Sequence, residues 1–360
     1  MTAPSTPPST PPLDRLRERL WEAVRGGDEE AAIDAVSGAL DTGTDPESLL
    51  LDVIGYTQRK IGDEWAGARM TVAEEHAATA INERAVDAAA HHPAARRPRT
   101  RGRIAVACVD GEWHALPARL LAEVLRLRGW HVDYLGTQVP APQLVAHVHR
   151  TGPDVVALSS SIATRLPAAH TAITACQGAG VPVLVGGAAF GHDGRYARLL
   201  GADAWAPDAR AAAARLAAAP LAEPHPPRGT GADLPHLVDH EYTLVARSAP
   251  QLVRTVLARL EQRFPEMRAY DAARRETIAE DLSHIVRFLA AALYTDDAEL
   301  FTGYLSWTTD ILNARGVPVP SQLPVLELLG EQLKDFPRAA GLLDQARTAA
   351  RGGAAVRGDG

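Results

Sequence analysis

Apolar residues recur at helical spacing over residues 13–90, and three breaks divide the stretch into four segments. The breaks are Gly26-Gly27-Asp28, Asp41-Thr42-Gly43-Thr44-Asp45-Pro46 and residues 67–71. Asp28 and Asp45 have the side chains of N-caps, and Pro46 suits the first helical position after its cap. Short connections between amphipathic helices make them antiparallel neighbours, so residues 13–92 are expected to form a four-helix bundle. At Arg103 the period changes. Ile104-Ala105-Val106-Ala107-Cys108 is the unbroken apolar run of a strand buried on both faces, and residues 116–128 carry Leu120, Leu121, Val124 and Leu127 at the spacing of a covering helix. Further strands are expected at 131–135, 155–158 and 181–185, with helices beginning near Pro140, Ala163 and Asp193. This alternation predicts that residues 102–218 are an α/β domain, Rossmann-like (flavodoxin-like), with a parallel five-stranded sheet.

The last third, residues 234–350, returns to the helical period. Apolar positions run through Leu252, Val253, Val256, Leu257 and Leu260, then Ile278, Leu282, Ile285, Val286 and Leu289, then Leu300, Tyr304, Trp307 and Ile311, then Leu323, Leu326, Leu329 and Leu333. Ser248 and Asp297 are expected helix starts, and Arg315-Gly316-Val317-Pro318 a stop. The chain is thus α/β plus all-α, and 360 residues are enough for two or three domains with separate cores. Residues 1–12, almost all Pro, Ser and Thr, are expected to be disordered, and residues 219–233 to be a Pro-rich linker. Residues 91–102 read as a basic linker in which His91 and His92 form a solvated hinge.

Composition narrows the function. The net charge is −7 and the basic run at 96–101 stands alone, which argues against a nucleic-acid reader. No apolar run is long enough for a bilayer and no signal-peptide core is visible, so a cytoplasmic protein is expected. The two cysteines, Cys108 and Cys176, support neither a disulfide framework nor a thiolate metal cluster.

The candidate chemistry lies at the carboxyl edge of the sheet, where open α/β sheets hold their ligands. The loop after the first strand carries Gly111-Glu112-Trp113-His114, the loop after the third Ser159-Ser160-Ser161, and the turn after the fourth Gly186-Gly187. A neutral imidazole is a good transition-metal ligand, and a carboxylate two residues away can hold its other ring N–H and fix the tautomer. Glycines without Cβ atoms let a flat group approach the backbone. A lone histidine in such a loop is ordinarily an unremarkable loop residue; three equipped loops at adjacent strand ends make a site.

The constellation resembles the cobalamin-binding domain of methionine synthase, of mutases and of the CarH photoreceptors. The resemblance implies His114 as the lower ligand of cobalt, Glu112 as its partner, and the nucleotide tail along Ser159, Ser161, Gly186 and Gly187. Glu112 stands where many members have Asp, though Glu is also found in the CarH branch, and Pro117 stands where the family pattern has Gly. Upstream, Trp65 is followed after nine residues by Glu75-His76, which looks like the Trp-x9-Glu-His motif of CarH photoreceptors. That likeness implies Trp65, Glu75 and His76 over the upper face of adenosylcobalamin. CarH has a His directly after the Trp, which captures cobalt after light breaks the carbon–cobalt bond; here Ala66 stands there. A DNA-binding helix-turn-helix is not expected in the short N-terminal stretch.

Over its whole length, the domain order resembles that of photocobilins, with residues 234–350 similar to a globin-like domain that binds the linear tetrapyrrole biliverdin. This implies a second cofactor-binding set, His284 and Arg287 on the long central helix with Tyr304 and Trp307 on the next. No Cys follows Cys176, so a bilin there would be held without a thioether. The expected protein is a non-enzymatic cobalamin photoreceptor with adenosylcobalamin (cobalt) and biliverdin, signalling through a homo-oligomer such as a dimer or through a partner protein, with no nucleic acid or membrane bound. The alternatives are a corrinoid protein of a methyltransferase system, and a cobalamin sensor whose C-terminal domain is a stressosome-type docking globin.

Overall fold

In the computed structural model, residues 12–222, 224, 234–315 and 322–357 are described. The expectations of disorder at the N-terminus, of the linker core at 225–233 and of the stop at 316–318 lie outside these residues.

The bundle consists of α1 (Pro12–Arg25), α2 (Glu29–Asp41), a third helix in three continuous pieces, and α5 (Val72–His91). The pieces are α3 (Pro46–Ser48), a π-helical stretch Leu49–Ile54 and α4 (Gly55–Ala66). Asp28 and Asp45 cap as expected, accepting from the main-chain N–H of Ala31 and Ser48. Thr71 and Glu74 close a capping box that opens α5. His92 departs from the expected hinge: Nε2 lies 3.1 Å from Asp41 and Nδ1 accepts from the N–H of Ala94, so the residue is docked against α2.

The sheet contains β1 (Arg103–Cys108), β2 (His131–Gly136), β3 (Val155–Ser159), β4 (Val183–Gly186) and β5 (Ala204–Ala206), all parallel, in the order β2-β1-β3-β4-β5. It is covered by α6 (Ala115–Leu127), α7 (Ala141–Thr151), α8 (Leu166–Gly178), α9 (Arg195–Leu199) and α10 (Ala209–Ala218). The bundle sits on α6, whose Leu116 and Leu120 belong to the bundle's own apolar cluster. Arg128 with Glu47, and Arg210 with Asp52, tie its rim to the sheet domain.

The C-terminal region has α11 (Glu241–Arg263), α12 (Ala272–Thr295), α13 (Ala298–Ala314), α14 (Leu323–Gln332) and α15 (Pro337–Arg357). Asp297 is the N-cap of α13 as expected. Ser248 is not a helix start. It lies inside α11 and returns its hydroxyl to the carbonyl of Leu244, because buried Val245 anchors the turn before it and carries the helix through Pro250. The expectation of separate cores also needs correction: the β3–β4 face of the sheet domain and the C-terminal helices share one continuous apolar cluster, from Leu158 and Ile173 to Leu289 and Phe301. The seam carries directional bonds too, His170 Nδ1 to Tyr294 Oη at 2.7 Å and Tyr196 Oη to Asp297 at 2.8 Å.

Candidate functional site

Gly111, with φ at +73°, turns the chain after β1 so that Glu112 drops into the protein and His114 opens α6 from the N-cap position. Glu112 is completely buried, yet its carboxylate is fully engaged. Oε1 accepts the main-chain N–H of His114 at 3.0 Å and faces His114 Nδ1 at 2.6 Å. Oε2 accepts the hydroxyl of Ser160 at 3.1 Å and the main-chain N–H groups of Ser161 and Ile162 at 2.7 and 3.1 Å. Burial pushes this carboxyl up, but the ring and main-chain bonds from His114 and the bond from Ser161 outweigh it and hold the group at about 2. It is therefore an anion at neutral pH.

The tautomer of His114 follows. An ionised carboxylate only accepts, so Nδ1 carries a proton and Nε2 is the ring nitrogen turned away from the carboxylate. The imidazole is 35% exposed and Trp113, itself 51% exposed, stacks on it with ring centroids 3.8 Å apart. The result is an imidazole held by its Nδ1–H, with Nε2 on the far side of the ring, at the carboxyl edge of the sheet.

The neighbouring loops are locked to this one. Ser159 ends β3 and its carbonyl accepts from Val109, while Ser160 exchanges main-chain bonds with Gly186 and Ala189. Both glycines are required by the protein's own packing. A Cβ on Gly187, where φ is +100°, would overlap the Ser160 carbonyl, and one on Gly186 would press on the Ala206 carbonyl at 3.0 Å. Ser160, absent from the expected set, is the serine whose hydroxyl reaches Glu112; the run of three serines was visible, but which one points inward depends on how β3 ends.

On the bundle, Trp65 is half-buried at the end of α4. Arg315 lies over its ring at 4.9 Å, and Trp307 stands 6.4 Å away. Glu75 accepts from Thr79, which is bonded to Gln58, which in turn accepts from buried Asn82. This polar ladder between α4 and α5 escaped sequence reasoning, since single amides in amphipathic helices carry no periodic signal. His76 is exposed, on the first turn of α5, with Nδ1 2.8 Å from the Val72 carbonyl and from Glu75.

Four residues are expected to meet a bilin, and two of them, Tyr304 and Trp307, lie side by side. Arg287 lines a cavity of about 540 Å³ between α11, α12 and the start of α8, whereas His284 is not among its lining residues. Tyr304 stacks face to face on Phe288 at 3.7 Å, and Trp307 lies beside Tyr304 and Trp65. Both cysteines are buried, and burial pushes each thiol up to about 12.

Residues 102–217 match a family profile described as B12 binding domain, and residues 16–89 match a second profile of the same description. The bundle and the sheet domain together are a cobalamin-binding module. The HTH-type transcriptional repressor CarA of Myxococcus xanthus is 31% identical over 191 residues, 50% of this chain and 61% of that protein. The HTH-type transcriptional repressor CarH of the same organism is 30% identical over 178 residues, 48% of this chain and 58% of that protein. The chain thus spans about three fifths of these repressors. A trimethylamine corrinoid protein of Methanosarcina barkeri is 26% identical over 204 residues, 55% of this chain and 93% of that protein.

Proposed function

We propose that the protein is a light sensor that binds adenosylcobalamin through His114 and a bilin through its C-terminal helices, and that it passes the signal on by a change of oligomeric state or to a partner protein. The observation that carries the cobalamin half is the Glu112–His114 pair, in which Nδ1 is held at 2.6 Å and Nε2 is left open. The residues fit the cofactor: a neutral imidazole suits cobalt, and a buried, five-times bonded carboxylate keeps it in one orientation before any ligand arrives.

Bound adenosylcobalamin supplies absorption in the visible and a light-labile carbon–cobalt bond. The chain's own residues supply the rest. His114 would hold the cobalt through Nε2 and Glu112 keeps its Nδ1–H, while Trp113 shields one side of the imidazole. Trp65 and Glu75 would line the cofactor's pocket from the bundle, with Arg315 over the Trp65 ring and Trp307 beside it. A bilin is bound without a covalent bond, because the chain has no Cys beyond Cys176. The globin-like reading of the C-terminal helices, and their use as a sensor rather than a bare docking domain, belong to the same proposal.

A second reading is favoured by the 93% coverage of a trimethylamine corrinoid protein, namely a methyl-carrying corrinoid protein. The two part on the upper ligand. Purified protein offered adenosylcobalamin, methylcobalamin and biliverdin is expected to select the adenosyl form, to change its cobalamin spectrum irreversibly under green light, and to gain a sharpened red band. Preference for methylcobalamin and inertness to light would replace the sensor with the carrier.

A further inference from the structure

A smaller cavity, of about 210 Å³, opens where the last turn of α6 ends, about three turns of helix away from His114. The bundle walls it with Leu50 and Ala90, and the sheet domain with Leu127 and Trp130. The segment that joins the two contributes Arg96, Arg97 and Arg99. Arginines nearby are matched by acids, Arg128 by Glu47, Arg210 by Asp52 and Arg126 by Glu123. Arg96, Arg97 and Arg99 differ, since among the described residues none of them forms an ion pair. Arg97 donates from Nη1 to the carbonyls of Ala94 and Arg96, and Arg99 places Nη1 3.3 Å from Nδ1 of His131, which leaves each guanidinium with further N–H groups to give. Glu123, the carboxylate in the lining, is buried and already held by Arg126, so it does not neutralise them. Three cations drawn from four consecutive residues around one hollow repel one another, and the chain as a whole carries −7, so this positive hollow runs against its average surface. A guanidinium fork grips oxygens two at a time, and a phosphoryl group offers three oxygens and up to two charges where a carboxylate offers two and one.

We propose that this cavity binds a small phosphorylated anion of the diphosphate or polyphosphate type between Arg96, Arg97 and Arg99, and that the bound anion fastens the bundle to the sheet domain. The volume lies below the roughly 300–1,000 Å³ of sites for drug-sized ligands, which fits a diphosphate and leaves a nucleoside, where one is attached, to lie along the rim. The concave shape and the acidity of the whole chain favour such an anion over a nucleic acid, which needs a broad positive face. Fastening follows from the walls. The arginines sit on the connection itself, with the bundle on one side and α6 on the other, so an anion that gathers them holds all three parts together and stabilises the fold by mass action. None of this depends on what occupies the site at His114.

The test uses the full-length chain and three probes, inorganic pyrophosphate, adenosine triphosphate and a short DNA duplex, each followed by calorimetry and by the melting temperature. Pyrophosphate is expected to bind once per chain, to raise the melting temperature, and to bind less well as salt is added. Arg96→Gln, Arg97→Gln and Arg99→Gln, all at exposed positions that leave the core untouched, are each expected to weaken it by at least about tenfold, and the triple variant by at least about a hundredfold. Arg268→Gln, an exposed cation of the C-terminal region, is expected to change nothing. Ala90→Leu keeps every charge and fills the hollow from α5; it is expected to abolish binding while the far-ultraviolet circular dichroism stays the same, a loss that a diffuse basic surface would not show. Adenosine triphosphate bound as well as pyrophosphate would show that the phosphoryl groups alone are read, and tighter binding would add the nucleoside to the site; either upholds the proposal. Both small anions ignored, or bound equally well by the triple variant or by Ala90→Leu, would overturn it. So would a duplex held more tightly than pyrophosphate and indifferent to Ala90→Leu, which would make the segment a nucleic-acid surface instead.

Discussion

Replacing Glu112 by Gln changes one atom's charge and keeps the shape, and its consequences can be worked out bond by bond in the apoprotein. The amide oxygen can keep the three donors at Ser160, Ser161 and Ile162, but the NH2 group then faces the main-chain N–H of His114, donor against donor. In the unaltered protein the carboxyl is held at about 2 against an ordinary 4.5. That difference corresponds to about 3 kcal/mol of folding stability. Since the folded-state value is the lower one, this stability is fully present above pH 4.5 and is lost as the pH falls towards 2. Urea unfolding of the two apoproteins, followed by far-ultraviolet circular dichroism, is expected to show the variant weaker by about 3 kcal/mol at pH 7, with less than half of that gap left at pH 3. The same amide can donate to Nδ1 and push the proton to Nε2, so cobalamin affinity is expected to drop by about 10–100-fold. Equal urea midpoints at pH 7, or a gap that persists undiminished at pH 3, would refute the idea that a clamped anion organises these loops.

Three further outcomes follow from the geometry. His114→Ala removes the open Nε2 and is expected to abolish the spectrum of imidazole-ligated cobalamin while leaving the far-ultraviolet spectrum intact; an unchanged cobalamin spectrum would show that the ligand lies elsewhere. Trp65→Ala is expected to erode the preference for adenosyl- over methylcobalamin more than total affinity, measured by competition binding, and retained selectivity would reduce Trp65 to packing against Trp307. Gly187→Ala places a methyl group on the Ser160 carbonyl at a positive φ, so its melting temperature is expected to fall by an amount corresponding to about 2–3 kcal/mol; a variant as heat-resistant as the parent would mean the loop yields freely.

The bundle and the sheet were legible because both are written in periodicity, and the caps at Asp28, Asp45 and Asp297 because a short acidic side chain ahead of an apolar repeat has few other uses. Glu112 and His114 were legible for a chemical reason, the pairing of an acid with an imidazole two residues on. What escaped was set by tertiary geometry. Ser160 reaches Glu112 because β3 stops where it does, and Gly187 is needed because that serine's carbonyl occupies its Cβ position.

The apolar cluster that runs without interruption from the sheet into the C-terminal helices makes those two parts inseparable merchandise. A cut in the segment that joins them would present Leu158's neighbours on one side and Val245 and Leu289 on the other as raw greasy faces, of the kind that proteases and chaperones seek. Recombination that moves the helices to another protein must carry half of the sheet domain along, whereas the bundle, with its own cluster and a rim of ion pairs, can be exchanged more cheaply.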